Sequence, residues 1–157
     1  LATLDPSKAL GPDAMSPLVL KKCADILAPS LALLFNKSIA SGKFPTDWKD
    51  AHVIPVHKKG SKGVVSNYRP VSLLSTLSKV MERCVHDSIS SRLHGSIHNL
   101  QHGFMKGRST TTQLLEVYHH VGSVLDKGGQ VDMLFLDFAK AFDSVSHSLL
   151  VHKLQMF

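Results

Sequence analysis

Four consecutive apolar residues, Met133-Leu134-Phe135-Leu136, run directly into a carboxylate, Asp137. A strand that buries both faces reads as an unbroken apolar run rather than an alternation. The block therefore predicts a central strand that carries Met133 to Leu136 into the core, with Asp137 where that strand emerges. Rigid backbone facing a cleft is where a chain would place a metal ligand. Mg²⁺ takes oxygen donors, keeps several waters, and needs only one or two protein carboxylates beside substrate phosphates. The ordinary alternative is a strand-terminal aspartate capping a turn, and spacing alone favours it. Asp143 sits beside Ser144-Val145-Ser146-His147 and fits the start of a last helix better than a metal site. Phe142, taken alone, reads as a core aromatic.

A length of 157 residues suffices for one domain with a proper core, and 43% hydrophobic content fits a soluble globular chain. Eighteen Lys+Arg against twelve Asp+Glu leave a net charge of +6. That balance favours polyanionic partners, nucleic acid first. Cys23 and Cys84 share no motif, and both fall on apolar helix faces, so buried thiols in a reducing compartment are expected. No apolar run reaches the length of a membrane span and no signal-peptide pattern opens the chain, so no membrane partner is expected. The initial Leu1 and the uncapped final helix read as a piece of a longer chain.

In chain order, Ser16-Pro17 is an N-cap followed by a first-turn proline. The helix it opens would turn Leu18, Val19, Cys23, Ile26 and Leu27 inward and break at Pro29. A second helix from about Ser30 would stop at Gly42. Ala51 to His57 reads as a strand that Pro55 confines to an edge. Asn67 to Val71 is extended, because a residue before proline is pushed out of helical space. Ser75 caps the clearest helix, with Leu77, Val80, Met81, Cys84, Val85, Ile89 and Leu93 at helical spacing and Gly95 at its end. Thr110 with Gln113 is a capping-box pattern, and the helix behind it would carry Leu114, Tyr118, Val121 and Leu125 inward. A last helix holds Leu149, Leu150 and Leu154. Neither repeat nor linker interrupts this order, which reads as one compact unit.

Two loops set basic residues beside glycine. They are Lys58-Lys59-Gly60-Ser61-Lys62-Gly63, leading to Arg69, and Lys106-Gly107-Arg108-Ser109-Thr110. The second runs into a helix N-terminus, whose free amides and dipole suit phosphate. Each loop alone is an ordinary solvated one; the pair, in a basic domain, weighs evenly between solvent and phosphate. His94, His98 and His102 are spaced by four, but Gly95 separates them and no Cys or acid completes a zinc set.

Five blocks in order carry a resemblance. They are Lys8-Ala9-Leu10-Gly11-Pro12-Asp13, Val53 through Gly60, Asn67 through Leu74, Gln101-His102-Gly103-Phe104 with Gly107-Arg108-Ser109-Thr110, and Leu136 through Asp143. Together they are strongly specific, and over almost its whole length the chain resembles the reverse transcriptases of non-LTR (LINE-type) retrotransposons. The resemblance implies a helix-rich α/β (α+β) right-hand polymerase. Residues 1–130 would belong to the fingers and 131–157 to the start of the palm, ending before the second catalytic block. It implies an RNA template, a DNA primer, dNTPs, Mg²⁺ and a nuclear location. Asp137 matches the first catalytic aspartate, a metal ligand joined by the Phe138 backbone. Phe142 matches the aromatic sugar gate, and Arg69 the arginine that meets the triphosphate. Lys58 and Arg108 match basic positions whose partner, triphosphate or template backbone, stays open. With one of three metal carboxylates present, this stretch alone is expected to be inactive. The alternatives are a non-catalytic module binding RNA or hybrid, and a degenerate remnant.

Overall fold

The computed structural model describes residues 1–156. In chain order the elements are α1 (Pro17–Lys22), α2 (Ala24–Ser41), β1 (Ala51–His57), β2 (Tyr68–Leu74), α3 (Thr76–Leu93), α4 (Thr110–Leu125) and α5 (His147–Gln155). Helices beside one antiparallel pair make an α+β chain. Where the sequence reads as one unit, the structure divides into two, Leu1–Ser90 and the residues from Ser91 onward.

The hairpin of the first unit accounts for its prolines. The strands pair with Ala51 opposite Leu74 and His57 opposite Tyr68, which sets Pro55 opposite Pro70. Just beyond, the Lys58 N–H donates to the Asn67 carbonyl at 2.8 Å. Bonded and non-bonded pairs alternate along such a ladder. Val56–Arg69 and Ile54–Val71 are therefore bonded pairs, and the two prolines share a non-bonded one. Neither forfeits a ladder hydrogen bond, and in a sheet of two strands both strands are edges.

The core of this unit lies where the N-terminal segment meets α1 and the start of α3. Leu20 and Met81 are buried there with Ser75, Thr76 and Ser78. The Ser75 hydroxyl donates to Asp13 Oδ2 at 2.5 Å and accepts the Ser78 N–H at 3.4 Å, so the cap of α3 also fastens the N-terminal segment. Gly11 is buried beside it, and a Cβ at that position would collide with the Leu74 carbonyl and the Ser75 amide. Gly11→Ala is therefore expected to cost about 1–3 kcal/mol, the usual penalty of overpacking. Urea unfolding measures it, and an unchanged midpoint would show that this contact is soft. A second cluster centres on buried Trp48, met edge-on by Phe35 and Phe44, each with ring centroids 5.8 Å away.

Several local expectations are corrected. The break between the first helices falls at Cys23, and Pro29 lies inside α2. Pro29 has no N–H to give the Asp25 carbonyl, but the helix runs on through it, and the Leu27 N–H still reaches the Cys23 carbonyl at 2.9 Å. The helix does stop at Gly42, with φ 64°. The inward face of α1 is Pro17 and Leu20; Leu18, Val19 and Ile26 are exposed. Cys84 is exposed and Cys23 half-buried, against the expected burial of both.

In the second unit the cap of α4 is Ser109, one residue before the one expected. Its hydroxyl accepts the Thr112 N–H at 3.2 Å, and Thr112 Oγ1 accepts the Ser109 N–H at 2.9 Å. Ser109 has the extended backbone that an N-cap needs. α4 and α5 bury no residue, so Leu114, Tyr118 and Leu125 do not point into a core.

The largest correction concerns the central strand. Residues 129–138 are irregular, and Met133 to Leu136 are between 54% and 84% exposed. A strand needs a neighbour to accept its N–H groups and donate to its carbonyls. Among the described residues the paired strands are β1 and β2, and each is the other's partner. None of the described helices is long and apolar enough to cross a membrane.

Candidate functional site

The first unit gathers its candidate residues by register. Side chains alternate across a strand, so Ile54, Val56 and Lys58 share one face with Val71, Arg69 and Asn67. Lys58 stands opposite Asn67 and diagonal to Arg69, within mutual reach of long side chains. Two cations thus project from one face of the hairpin. On the other face His57 and Tyr68 meet edge-on, with centroids 5.2 Å apart.

The basic loop is tied back to this hairpin. Asn67 Nδ2 donates to the Ser61 carbonyl at 2.8 Å and the Tyr68 hydroxyl to the Lys62 carbonyl at 2.9 Å. His57 Nε2 lies 3.0 Å from the Gly60 carbonyl, and Gly60 takes φ 82°, open to glycine without strain. No ion pair among the described residues uses Lys58, Lys59, Lys62 or Arg69. Their charges are left to solvent or to a polyanion.

Arg108, in the second unit, is placed differently. Its side chain is half-buried, and Nη1 donates to the carbonyls of Asn99 and Gln101, the latter at 2.7 Å. It fastens the loop before α4. His102 adds a second fastening, with Nδ1 3.2 Å from the Leu100 carbonyl and Nε2 3.5 Å from Glu116 Oε2. Both residues border a segment that sequence reasoning reads only as a basic loop. The carbonyls they hold carry no residue-type signal that could have revealed the arrangement.

Asp137 lies in the irregular segment after Leu136, exposed, with no hydrogen bond or ion pair among the described residues. Phe138 is 84% exposed beside it. Phe142 is exposed rather than core, on a turn closed by the Ser144 N–H donating to the Lys140 carbonyl at 3.1 Å. Its ring meets that of Phe104 edge-on, a pairing no sequence signal announces. Asp143 does not start the last helix: α5 begins at His147 behind Ser146, with no side-chain cap.

Whether these residues suit a metal is a matter of donor chemistry and number. The Asp137 carboxylate is a hard oxygen donor with no competing partner, and it suits a divalent cation. Among the described residues, however, no three of His, Cys, Asp and Glu come together as a metal site. The segment offers one ligand and does not by itself fit a complete centre.

Residues 56–157 match the reverse transcriptase (RNA-dependent DNA polymerase) family, and the chain belongs to that family. Its relatives are proteins of non-LTR retrotransposons. The chain is 33% identical over 156 residues to the RNA-directed DNA polymerase from mobile element jockey of Drosophila melanogaster, covering 98% of this chain and 17% of that protein. It is 33% identical over 128 residues to the probable RNA-directed DNA polymerase from transposon BS of the same organism, covering 80% of this chain and 14% of that protein. To the retrovirus-related Pol polyprotein from type-1 retrotransposable element R2 of Popillia japonica it is 29% identical over 116 residues, or 73% of this chain and 16% of that one. The chain thus spans about a sixth of the length of these relatives.

Proposed function

We propose that this chain is part of an RNA-directed DNA polymerase that extends a DNA 3′-end on an RNA template with dNTPs, acting in the nucleus. The observation that carries the reading is the hairpin face on which Lys58 and Arg69 stand together with no ion-pair partner. Arg69 offers phosphate a planar fork of donors and Lys58 a compact charge, two complementary ways to hold a triphosphate or a template backbone. Residues 1–130 would form the fingers region and 131–157 the first part of the palm.

Asp137 is the catalytic carboxylate in this reading, and the Phe138 carbonyl adds a neutral oxygen beside it. Mg²⁺, when bound, supplies charge stabilisation to the phosphoryl oxygens in flight. Asp137 and Phe138 supply part of its ligand set. Phe142 is the sugar gate: an exposed ring against the incoming sugar excludes a 2′-hydroxyl by occupying its space. Arg108, with Nη1 held by two carbonyls, is read as fastening the loop rather than gripping phosphate.

Primer extension by the complete polymerase tests the proposal. RNA template, DNA primer, dNTPs and Mg²⁺ should give extension, and a complete protein that gives none would refute the reading. Phe142→Ala should weaken rejection of ribonucleotides on the order of 10- to 200-fold, the range available to a steric contact. An unaltered preference for dNTPs would remove Phe142 from the gate.

A further inference from the structure

Phe104 and Phe142 are 96% and 79% exposed, yet their rings meet at 89° with centroids 6.1 Å apart. Neither ring is buried among the described residues. Each stands on a turn whose backbone is held in an uncommon state. Phe104 itself has φ 61°, a region that a bulky side chain enters only under constraint. Across the contact Lys140 has φ 50°, and its carbonyl accepts both the N–H and the hydroxyl of Ser144, at 3.1 and 3.0 Å. Those two bonds close the turn that carries Phe142.

The Phe104 turn is secured from both flanks. Arg108 holds the carbonyls of Asn99 and Gln101. The Gln101 side-chain amide donates to the Gly103 carbonyl at 3.1 Å, and the Met105 N–H to the His102 carbonyl at 3.3 Å. His102 is in turn placed against Glu116 of α4. All this fastening leaves a strained residue at the tip of the loop, and what that residue presents is a ring against Phe142.

We propose that Phe104 is a positioning residue for Phe142, setting the plane of its ring by edge-on contact. The inference rests on the reading of Phe142 as the sugar gate. A gate that excludes one hydroxyl works only while its ring stays in place, and an edge-on neighbour favours one orientation of that ring. Removing Phe104 loosens the gate without touching Asp137.

The test uses the complete polymerase, with kcat/KM measured for a dNTP and its matching ribonucleotide. Phe104→Gly deletes the ring and relieves the positive φ, so folding is not threatened. The dNTP preference should fall roughly two- to tenfold, the ratio that the energy of an aromatic pair permits. Phe104→Tyr should restore it. Combined with Phe142→Ala, the glycine variant should add no further loss. If Phe142→Ala relaxes selection while Phe104→Gly leaves it unchanged, the positioning role is overturned. If neither variant changes selection, the gate reading beneath it is what fails.

Discussion

Asp137→Asn in the complete polymerase is expected to abolish primer extension, by about 10³-fold or more, while the protein stays folded. A group that acts only in the transition state carries effects of that size when removed. Its surroundings give no structural explanation for such a loss. The side chain is exposed, and no hydrogen bond or ion pair engages it among the described residues. A change at such a surface position shifts stability by no more than about 0.5 kcal/mol. Asparagine keeps the shape and removes the charge, so the comparison isolates the carboxylate. Extension assays read the activity and thermal unfolding the stability. Activity within tenfold of the parent would sink the assignment, and a large drop in stability would make Asp137 a structural residue instead.

The second large effect is on salt dependence. Binding of an RNA–DNA hybrid should weaken steeply with ionic strength, because each phosphate neutralised releases counterions. Log K falls with log salt by about 0.9 per contact on a duplex. If Lys58, Lys59, Lys62 and Arg69 all contact phosphates, their part of the slope is about −3.6, a loss of about 10²-fold between 50 and 200 mM salt. Lys58→Ala and Arg69→Ala should each reduce the slope by about 1. Arg108→Ala should lower it less, since its Nη1 is committed to two backbone carbonyls and the residue is half-buried. Fluorescence anisotropy at several salt concentrations measures all of this. A slope indifferent to both hairpin substitutions would show that the cationic face is not where nucleic acid binds.

What could be read along the chain and what could not divide on the range of the interactions involved. The strand Ala51–His57 is legible because β-branched residues and Pro55 mark an edge strand locally. Gly42 is legible as a stop because a left-handed residue closes a helix through bonds within a few residues. The start of α3 at Ser75 is legible as a cap, but the second bond of that hydroxyl, to Asp13, crosses 62 positions and leaves no local trace. The break at Cys23 is hidden for a different reason: no proline or glycine marks it, while Pro29, which suggests a break, lies inside α2.

The apolar run Met133–Leu136 shows the boundary most clearly. Its composition states that the run prefers burial, and composition contains no statement about the neighbour that would bury it. In the structure no partner strand lies beside it among the described residues, so the segment is irregular and Asp137 emerges from a loop. The sequence by itself determined the edge strand β1, the stop at Gly42, the cap of α3, the positive charge and the ordered blocks that place the chain among reverse transcriptases. Only the tertiary structure decided that Pro55 faces Pro70, that Lys58 and Arg69 share a face, that Arg108 is a fastening, and that Phe104 meets Phe142. Helical periodicity, caps and stops are contacts between near neighbours, which residue types encode directly. Register and ring contacts join residues far apart in the chain, and only the folded backbone brings them together.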